Sequence, residues 1–373
     1  MCAYSAPPKV DASSLSRVEC NGDLQERCAD RVAGYNVAVV GAGAVGEEMV
    51  KVLRQRCFPI AELRVMARTA RRQTLDGREF DIIPTTEDAF DGIDIAFFAG
   101  TEGERGASQL YGWEAVRRGA IVVDNGDDYR MDPRVPLVVP EVNPHHLDKH
   151  QGLVSNPNCS TIQMVVALAP LHRKARMKRV VVTTYQSVSG SGSAAIRELQ
   201  QQIKADVTGE PMQIKEYPYQ IHCNVIPHIS RLRDEFPGYY GEEIKMIKET
   251  RKMFDYPDLA VSATCARVPV IRAHSEAINV EFENPITADE ARELLAGAPG
   301  IEVIDDPGNA KYPMPLFADG KDETYVGRIR QDPCWPNTID MWVVSDNIRK
   351  GAALNAVQIA ECMIERGLIK RKV

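Results

Sequence analysis

The pattern of apolar and polar positions divides the chain into two halves of different rhythm. In the first, short apolar runs alternate with amphipathic segments. Tyr35-Asn36-Val37-Ala38-Val39-Val40 predicts a strand, Glu47 to about Arg56 a helix, and Leu63-Arg64-Val65-Met66 a second strand. Ile93 to Ala99 predicts a third strand, about Gly106 to Arg118 a helix, and Ala120 to Asn125 a fourth strand. Such alternation builds a parallel sheet covered by helices on both faces. In the second half the strands lengthen and the helices thin out. Val180 to Val188, Val261 to Val270, Ile278 to Phe282, Tyr325 to Ile329 and Thr338 to Val344 predict strands, with helices at about Ala194 to Val207 and Glu242 to Lys252. That spacing predicts an α+β unit with a mostly antiparallel sheet and its helices on one face. Gly351 to Arg366 predicts a final amphipathic helix.

Between the halves lies Ser155-Asn156-Pro157-Asn158-Cys159-Ser160-Thr161-Ile162-Gln163, a polar loop running into the apolar stretch Met164 to Ala169. Ser155 and Asn158 are good cap residues, so a helix is expected to start at or just before Cys159. A thiol on a first turn faces unpaired N–H groups and the positive end of the helix dipole, so a lowered pKa and a nucleophilic sulfur are expected there.

Composition narrows the setting. With 373 residues the chain is too long for one ordinary core, so two domains are expected. We expect residues 1–34 to form a mobile extension, 35–158 a dinucleotide-binding domain, 159–346 a catalytic and dimerisation domain, and 347–373 a helix returning to the first domain. A net charge of −7 gives no support for nucleic-acid or membrane-surface binding. The 9 cysteines show no CxxC and no Cys/His cluster at zinc spacing, so no metal is expected, and the absence of a secretory h-region points to a reducing, cytoplasmic setting.

The first predicted strand runs into Gly41-Ala42-Gly43-Ala44-Val45-Gly46 and then a helix. Strand, GxGxxG, helix is the dinucleotide-binding arrangement of a Rossmann-type fold. An NAD site would carry an acidic residue after the second strand. Here Ala67-Arg68-Thr69-Ala70-Arg71-Arg72 stands instead, which suits a 2′-phosphate, so NADP(H) is expected with Arg68, Thr69 and Arg71 near it. Gly100-Thr101-Glu102-Gly103 is expected on the nicotinamide side.

With Asn-Cys-Ser-Thr-Ile-Gln at 158–163, Val-Val-Pro-Glu-Val-Asn at 138–143, Tyr-Gln-Ser-Val-Ser-Gly at 185–190, Asn224 to Ile229 and Arg267 to Glu276, the chain resembles the bacterial type of aspartate-β-semialdehyde dehydrogenase over most of its length after about residue 36. The resemblance implies reversible reductive dephosphorylation of β-aspartyl phosphate with NADPH, on the route to lysine, methionine, threonine and diaminopimelate. It makes Cys159 the nucleophile, His274 the general acid/base and Gln186 a support for the cysteine site. It assigns Arg267 to the substrate carboxylate, Glu242 to the amino group, and Arg130, Asn158 and Lys245 to inorganic phosphate or the acyl phosphate. Gly190 and Asn347 join the cofactor site, and a homodimer is implied. Two departures stand out: the cofactor loop lacks the family's threonine, and the usual serine-arginine-serine is replaced by Arg68-Thr69-Ala70-Arg71. N-acetyl-γ-glutamyl-phosphate reductase and malonyl-CoA reductase share the cysteine–NADPH chemistry and are the alternatives, with a non-catalytic NADP-binding homologue behind them.

The residues alone set one geometric condition. Arg267 and His274 are an odd number of positions apart, so one straight strand would point them to opposite faces. Both can line one site only if the chain bends between them, and Pro269 is the expected place. Glu242 and Lys245 share a helix face at i, i+3, which by spacing alone reads as a surface ion pair.

Overall fold

The computed structural model describes residues 34–100 and 106–370. The expected mobile extension therefore lies outside the described residues except for Gly34, as does Thr101-Glu102-Gly103 of the nicotinamide-side loop.

The first domain is built from β1 (Tyr35–Val40), α1 (Ala44–Gln55), β2 (Ile60–Ala67), β3 (Arg71–Leu75), β4 (Arg78–Pro84), β5 (Ile95–Phe98), α2 (Ala107–Arg117), β6 (Ile121–Asp124) and β7 (Leu153–Ser155). Its sheet has the order β3-β4-β2-β1-β5-β6-β7. Every pairing is parallel except the edge hairpin β3–β4. Strand order runs outward in opposite directions from β1, which opens a crevice at its carboxyl end, where open α/β sheets bind ligands. Central strands must be apolar on both faces. Ile95, Ala96, Phe97 and Phe98 of β5 are all fully buried.

The second domain follows with α3 (Cys159–Ala175), β8 (Met177–Gln186), α4 (Ser193–Thr208), α5 (Gly241–Met253), β9 (Ala260–Arg267), β10 (His274–Phe282), α6 (Ala288–Ala296), β11 (Ile301–Val303), the short α7 (Pro315–Ala318), β12 (Thr324–Gln331) and β13 (Thr338–Ser345). Its sheet runs β11-β12-β13-β10-β8-β9. The middle pairings are antiparallel, but β8–β9 and β11–β12 are parallel, so the sheet is mixed at both edges. The long connection through α4 and α5 makes the parallel β8–β9 pair possible, because a hairpin cannot join parallel strands.

α3 is apolar around most of its circumference, as a helix inside a core must be. Ile162, Val165, Val166 and Leu168 pack against Val182 of β8, Ile278 of β10 and Val343 of β13. The chain then returns to the first domain. A π-helical turn, Arg349–Ala353, leads into α8 (Leu354–Glu365), whose Leu354, Val357, Ala360 and Met363 join Val37, Val39 and Leu53 in one core. Lys350 is fully buried in that turn. Its Nζ donates to both oxygens of Glu141 (2.8 Å each), to Asn355 Oδ1 and to Gln358 Oε1, so the charge is paired and all its protons are used.

Two of the expected strands end earlier than the apolar pattern implies. The run Val261 to Val270 ends as β9 at Arg267, with Pro269 in a bend, and the run to Val188 ends as β8 at Gln186. Both ends stop where the site begins.

Candidate active site

The head of α3 fixes the thiol. Asn158 caps the helix: its Oδ1 accepts from the backbone N–H groups of Ser160 (3.0 Å) and Thr161 (3.2 Å). Such a cap is worth about 1 kcal/mol. The rest of Asn158 is tied down as well. Its Nδ2 donates to Glu242 Oε1 (2.8 Å), and its backbone N–H donates to Glu249 Oε2 (2.7 Å). Behind Cys159 stands Gly351 of the π-helical turn. A Cβ there would lie 2.8 Å from Cys159 Cβ, so only glycine lets this turn pass the thiol. π-helical turns are rare and recur at functional sites.

The bend between β9 and β10 brings Arg267 and His274 together. His274 Nε2 is 3.4 Å from Cys159 Sγ, and its Nδ1 accepts from the Ser187 backbone N–H at 3.0 Å. Arg267 Nη1 donates to the Ser187 carbonyl at 2.6 Å. Both side chains close on Gly190, where a Cβ would sit 2.9 Å from Arg267 Nη1 and 3.3 Å from His274 Cε1. Arg267 is buried, yet it has no carboxylate partner among the described residues. An unpaired buried guanidinium is a strong site for a ligand carboxylate.

Gln186 ends β8 and donates through Nε2 to Glu242 Oε1 (3.3 Å) and Thr184 Oγ1 (3.2 Å). Glu242 and Lys245 are not a free surface pair. Glu242 is buried in the site, and Lys245 Nζ reaches Asp127 Oδ2 at 3.1 Å. Arg130 is fully engaged: Nε donates to Asn156 O, Nη1 to Glu249 Oε1 and Nη2 to Asn125 O. Glu249 thus joins Arg130 to the cap of the cysteine helix. It carried no sequence signal of its own and lies two helical turns beyond Glu242 on α5. Arg130, Asn158, Cys159, Gln186, Glu242, Lys245 and Arg267 all line one cavity of about 380 Å³.

The expected low thiol pKa does not survive the geometry. Burial and the Glu242 carboxylate push Cys159 up to about 12, against the opposing pull of Arg267, Arg130 and the Ser160 N–H. The helix terminus and its Ser160 N–H are present, but they are outweighed by burial and by the carboxylate beside the sulfur. Burial, followed by the Arg267 charge, holds His274 well below the usual histidine range. The resting pair is therefore a thiol and a neutral imidazole.

A second cavity, of about 720 Å³, opens beside the first at the carboxyl end of β1. Gly41, Gly43, Ala44, Val45, Gly46, Arg68, Arg71 and Gly190 line it, with Thr85, Tyr111 and Ser189, which carried no sequence signal. Thr69 does not line it; its carbonyl accepts from Arg71 Nη1 instead. Asn347 lines the thiol cavity. Gly41 has φ +111°, and a Cβ on Gly46 would fall 1.8 Å from the Gly41 oxygen, so both glycines are required by the turn and by close packing. Around Gly43 there is open space. No acidic side chain lines this cavity among the described residues, and Arg68 and Arg71 make no ion pair there. Arg68 precedes the β3–β4 hairpin and Arg71 opens it.

The comparisons with known proteins agree with this geometry. Residues 36–150 match the family description "Semialdehyde dehydrogenase, NAD binding domain", and residues 168–350 match "Semialdehyde dehydrogenase, dimerisation domain". The aspartate-semialdehyde dehydrogenase of Aquifex aeolicus is 49% identical over 347 residues, covering 90% of this chain and 100% of the relative. That of Synechocystis sp. is 46% identical, covering 89% and 98%. Among solved structures, aspartate semialdehyde dehydrogenase II from Vibrio cholerae superposes with a TM-score of 0.84 at 41% identity, covering 89% of this chain and 99% of that one. A second structure of that Vibrio protein is complexed with ASA and has a TM-score of 0.83. This chain belongs to the aspartate-semialdehyde dehydrogenase family.

Proposed function

We propose that the protein interconverts L-aspartate 4-semialdehyde, phosphate and NADP with L-4-aspartyl phosphate and NADPH through a thioester on Cys159, as a step of amino-acid biosynthesis. The observation that carries this reading is the 3.4 Å contact between Cys159 Sγ and His274 Nε2 beside Arg267, a buried guanidinium with no carboxylate partner among the described residues. In the dehydrogenase direction the Cys159 S–H bond breaks, its proton leaving to solvent in the cavity, and Sγ bonds to the aldehyde carbon while the aldehyde oxygen takes up a proton. His274 Nε2 is the proton partner of the oxygen on that carbon. NADP, when bound, supplies the hydride acceptor. Phosphate oxygen then attacks the thioester carbon, the C–S bond breaks, and the sulfur returns to the enzyme.

Arg267 holds the substrate carboxylate and Glu242 the amino group, which places the aldehyde over the sulfur. Lys245 and Arg130 supply positive charge for phosphate, with Asn158 beside them. The glycine turn fits a pyrophosphate, and Arg68 and Arg71 fit a 2′-phosphate without the acidic residue an NAD site needs. A homodimer through the second sheet is in keeping with Tyr185 and Trp342, whose rings meet at a tilt of 44° with centroids 5.4 Å apart. A cytoplasmic setting suits a protein in which no described helix is long and apolar enough to cross a membrane.

The test is reduction of NADP by the purified protein with aspartate semialdehyde. The expected rate depends on phosphate and is far lower with NAD. Turnover that ignores phosphate removes the second half-reaction, and an NAD preference removes the role given to Arg68 and Arg71.

A further inference from the structure

The ring of His274 meets one residue twice on its far side. The Ser187 backbone N–H donates to Nδ1 at 3.0 Å, and Ser187 Oγ lies 3.0 Å from the same nitrogen. Nδ1 has a single lone pair. A backbone donor aimed at it leaves the neutral ring's proton on Nε2, the nitrogen that faces Cys159 Sγ. In that form His274 can give a proton at the reacting centre and cannot take one. A reversible reaction needs the ring proton to change sides. His274 is fully buried, so solvent does not reach Nδ1 directly.

The surrounding hydroxyls offer the route. Ser187 Oγ is 3.0 Å from Ser189 Oγ, and both hydroxyls lie 3.1 Å from Asn347 Oδ1. Ser187 is wholly buried, whereas Ser189 lines both cavities. An unbroken row of contacts therefore runs from the cavities through Ser189 Oγ and Ser187 Oγ to Nδ1, and across the ring to Nε2 and the sulfur. Of the two groups on Nδ1, only the hydroxyl can hand over its proton and be re-protonated from behind. The amide only orients the ring.

We propose that Ser189 and Ser187 form a proton relay that resets His274 through Nδ1. As Nε2–H passes to the oxygen on the Cys159-bound carbon, Ser187 passes its hydroxyl proton to Nδ1. Ser189 passes its own to Ser187 Oγ, and solvent in the cavity restores Ser189. One proton enters at Ser189 and one leaves at Nε2. No charge stays on either serine or on the ring, which ends with its proton on Nδ1 and a lone pair on Nε2. Run backwards, the same transfers carry a proton out to solvent. This inference rests on His274 being the acid/base group.

Ser187→Ala keeps the backbone donor and removes the relay. We expect kcat to fall by about 10-fold or more, up to the roughly 10²-fold at the lower end of what general acid–base catalysis contributes. KM for both substrates should stay within about twofold, since Ser187 binds neither, and the solvent deuterium isotope effect on kcat should grow. Ser187→Thr, which keeps the hydroxyl, should recover most of the rate. Ser189→Ala should show the same pattern and serves if the variant at 187 does not fold. Independently of substrate, nitrogen-15 shifts of labelled histidine in the wild type should show a protonated Nε2 and an unprotonated Nδ1 on His274. Wild-type kcat with an unchanged isotope effect in both alanine variants overturns the relay, as does a ring protonated on Nδ1 alone. An inactive wild type with the expected nitrogen shifts would instead count against the proposed reaction.

Discussion

Cys159→Ala is expected to lower kcat by on the order of 10⁴-fold or more, the scale of removing the nucleophile from a covalent mechanism. In the proposed reaction the sulfur is the atom that bonds to substrate, and no other thiol lines its cavity among the described residues. Ser160 follows it on the helix, but it is fully buried and no cavity lining includes it. NADP binding, measured by quenching of protein fluorescence, should be unchanged, because Cys159 does not line the dinucleotide-side cavity. The thiol's raised pKa sets the pH dependence of its chemistry. With the group pushed up to about 12, the thiol form dominates at neutral pH, and the thiolate fraction rises about tenfold per pH unit below that value. Alkylation of Cys159 in the ligand-free protein should therefore accelerate steadily through the alkaline range. A plateau near neutrality would mean a resting thiolate–imidazolium pair and would contradict the geometry around Glu242.

His274→Asn should lower kcat by about 10²- to 10⁴-fold with little change in KM. In the proposed reaction the ring, 3.4 Å from the sulfur, is the proton partner, and substrate binding is assigned to Arg267, Glu242 and Lys245. Asparagine keeps a polar group in a fully buried position, so the loss should lie in turnover and not in folding. Steady-state kinetics with thermal melting as a control separates the two. A variant with wild-type kcat would remove His274 from the chemistry.

Much of the fold was legible because periodicity follows burial. The first strand was read at its observed bounds, and α3 begins at Cys159 because Asn158 is the kind of residue that caps. Other elements escaped for physical reasons. β3 and β4 form an edge hairpin with mostly polar, exposed positions, so no apolar alternation marks them. α6 did carry a signal: Thr287 and Glu290 form a capping box ahead of it, and its apolar stripe is short. Within the site, the bend at Pro269 could be inferred from the odd separation of Arg267 and His274. The environment of the thiol could not. A helix start is visible in sequence, but the burial of the sulfur and the carboxylate of Glu242, more than eighty positions away, are not, and together they reverse the sign of the shift. Glu249 and Ser187 were invisible for the same reason, since their importance lies entirely in long-range contacts with Asn158, Arg130 and His274.

The covalent intermediate is the centre of this description, and mass spectrometry can see it. The protein should be mixed with aspartate semialdehyde and NADP in the absence of phosphate, quenched in acid and digested. One acyl adduct per chain is expected, on the peptide that carries Cys159, and adding phosphate before the quench should remove it. Stoichiometric NADP reduction with no adduct on Cys159, or an adduct that phosphate does not discharge, would contradict a thioester route through this cysteine.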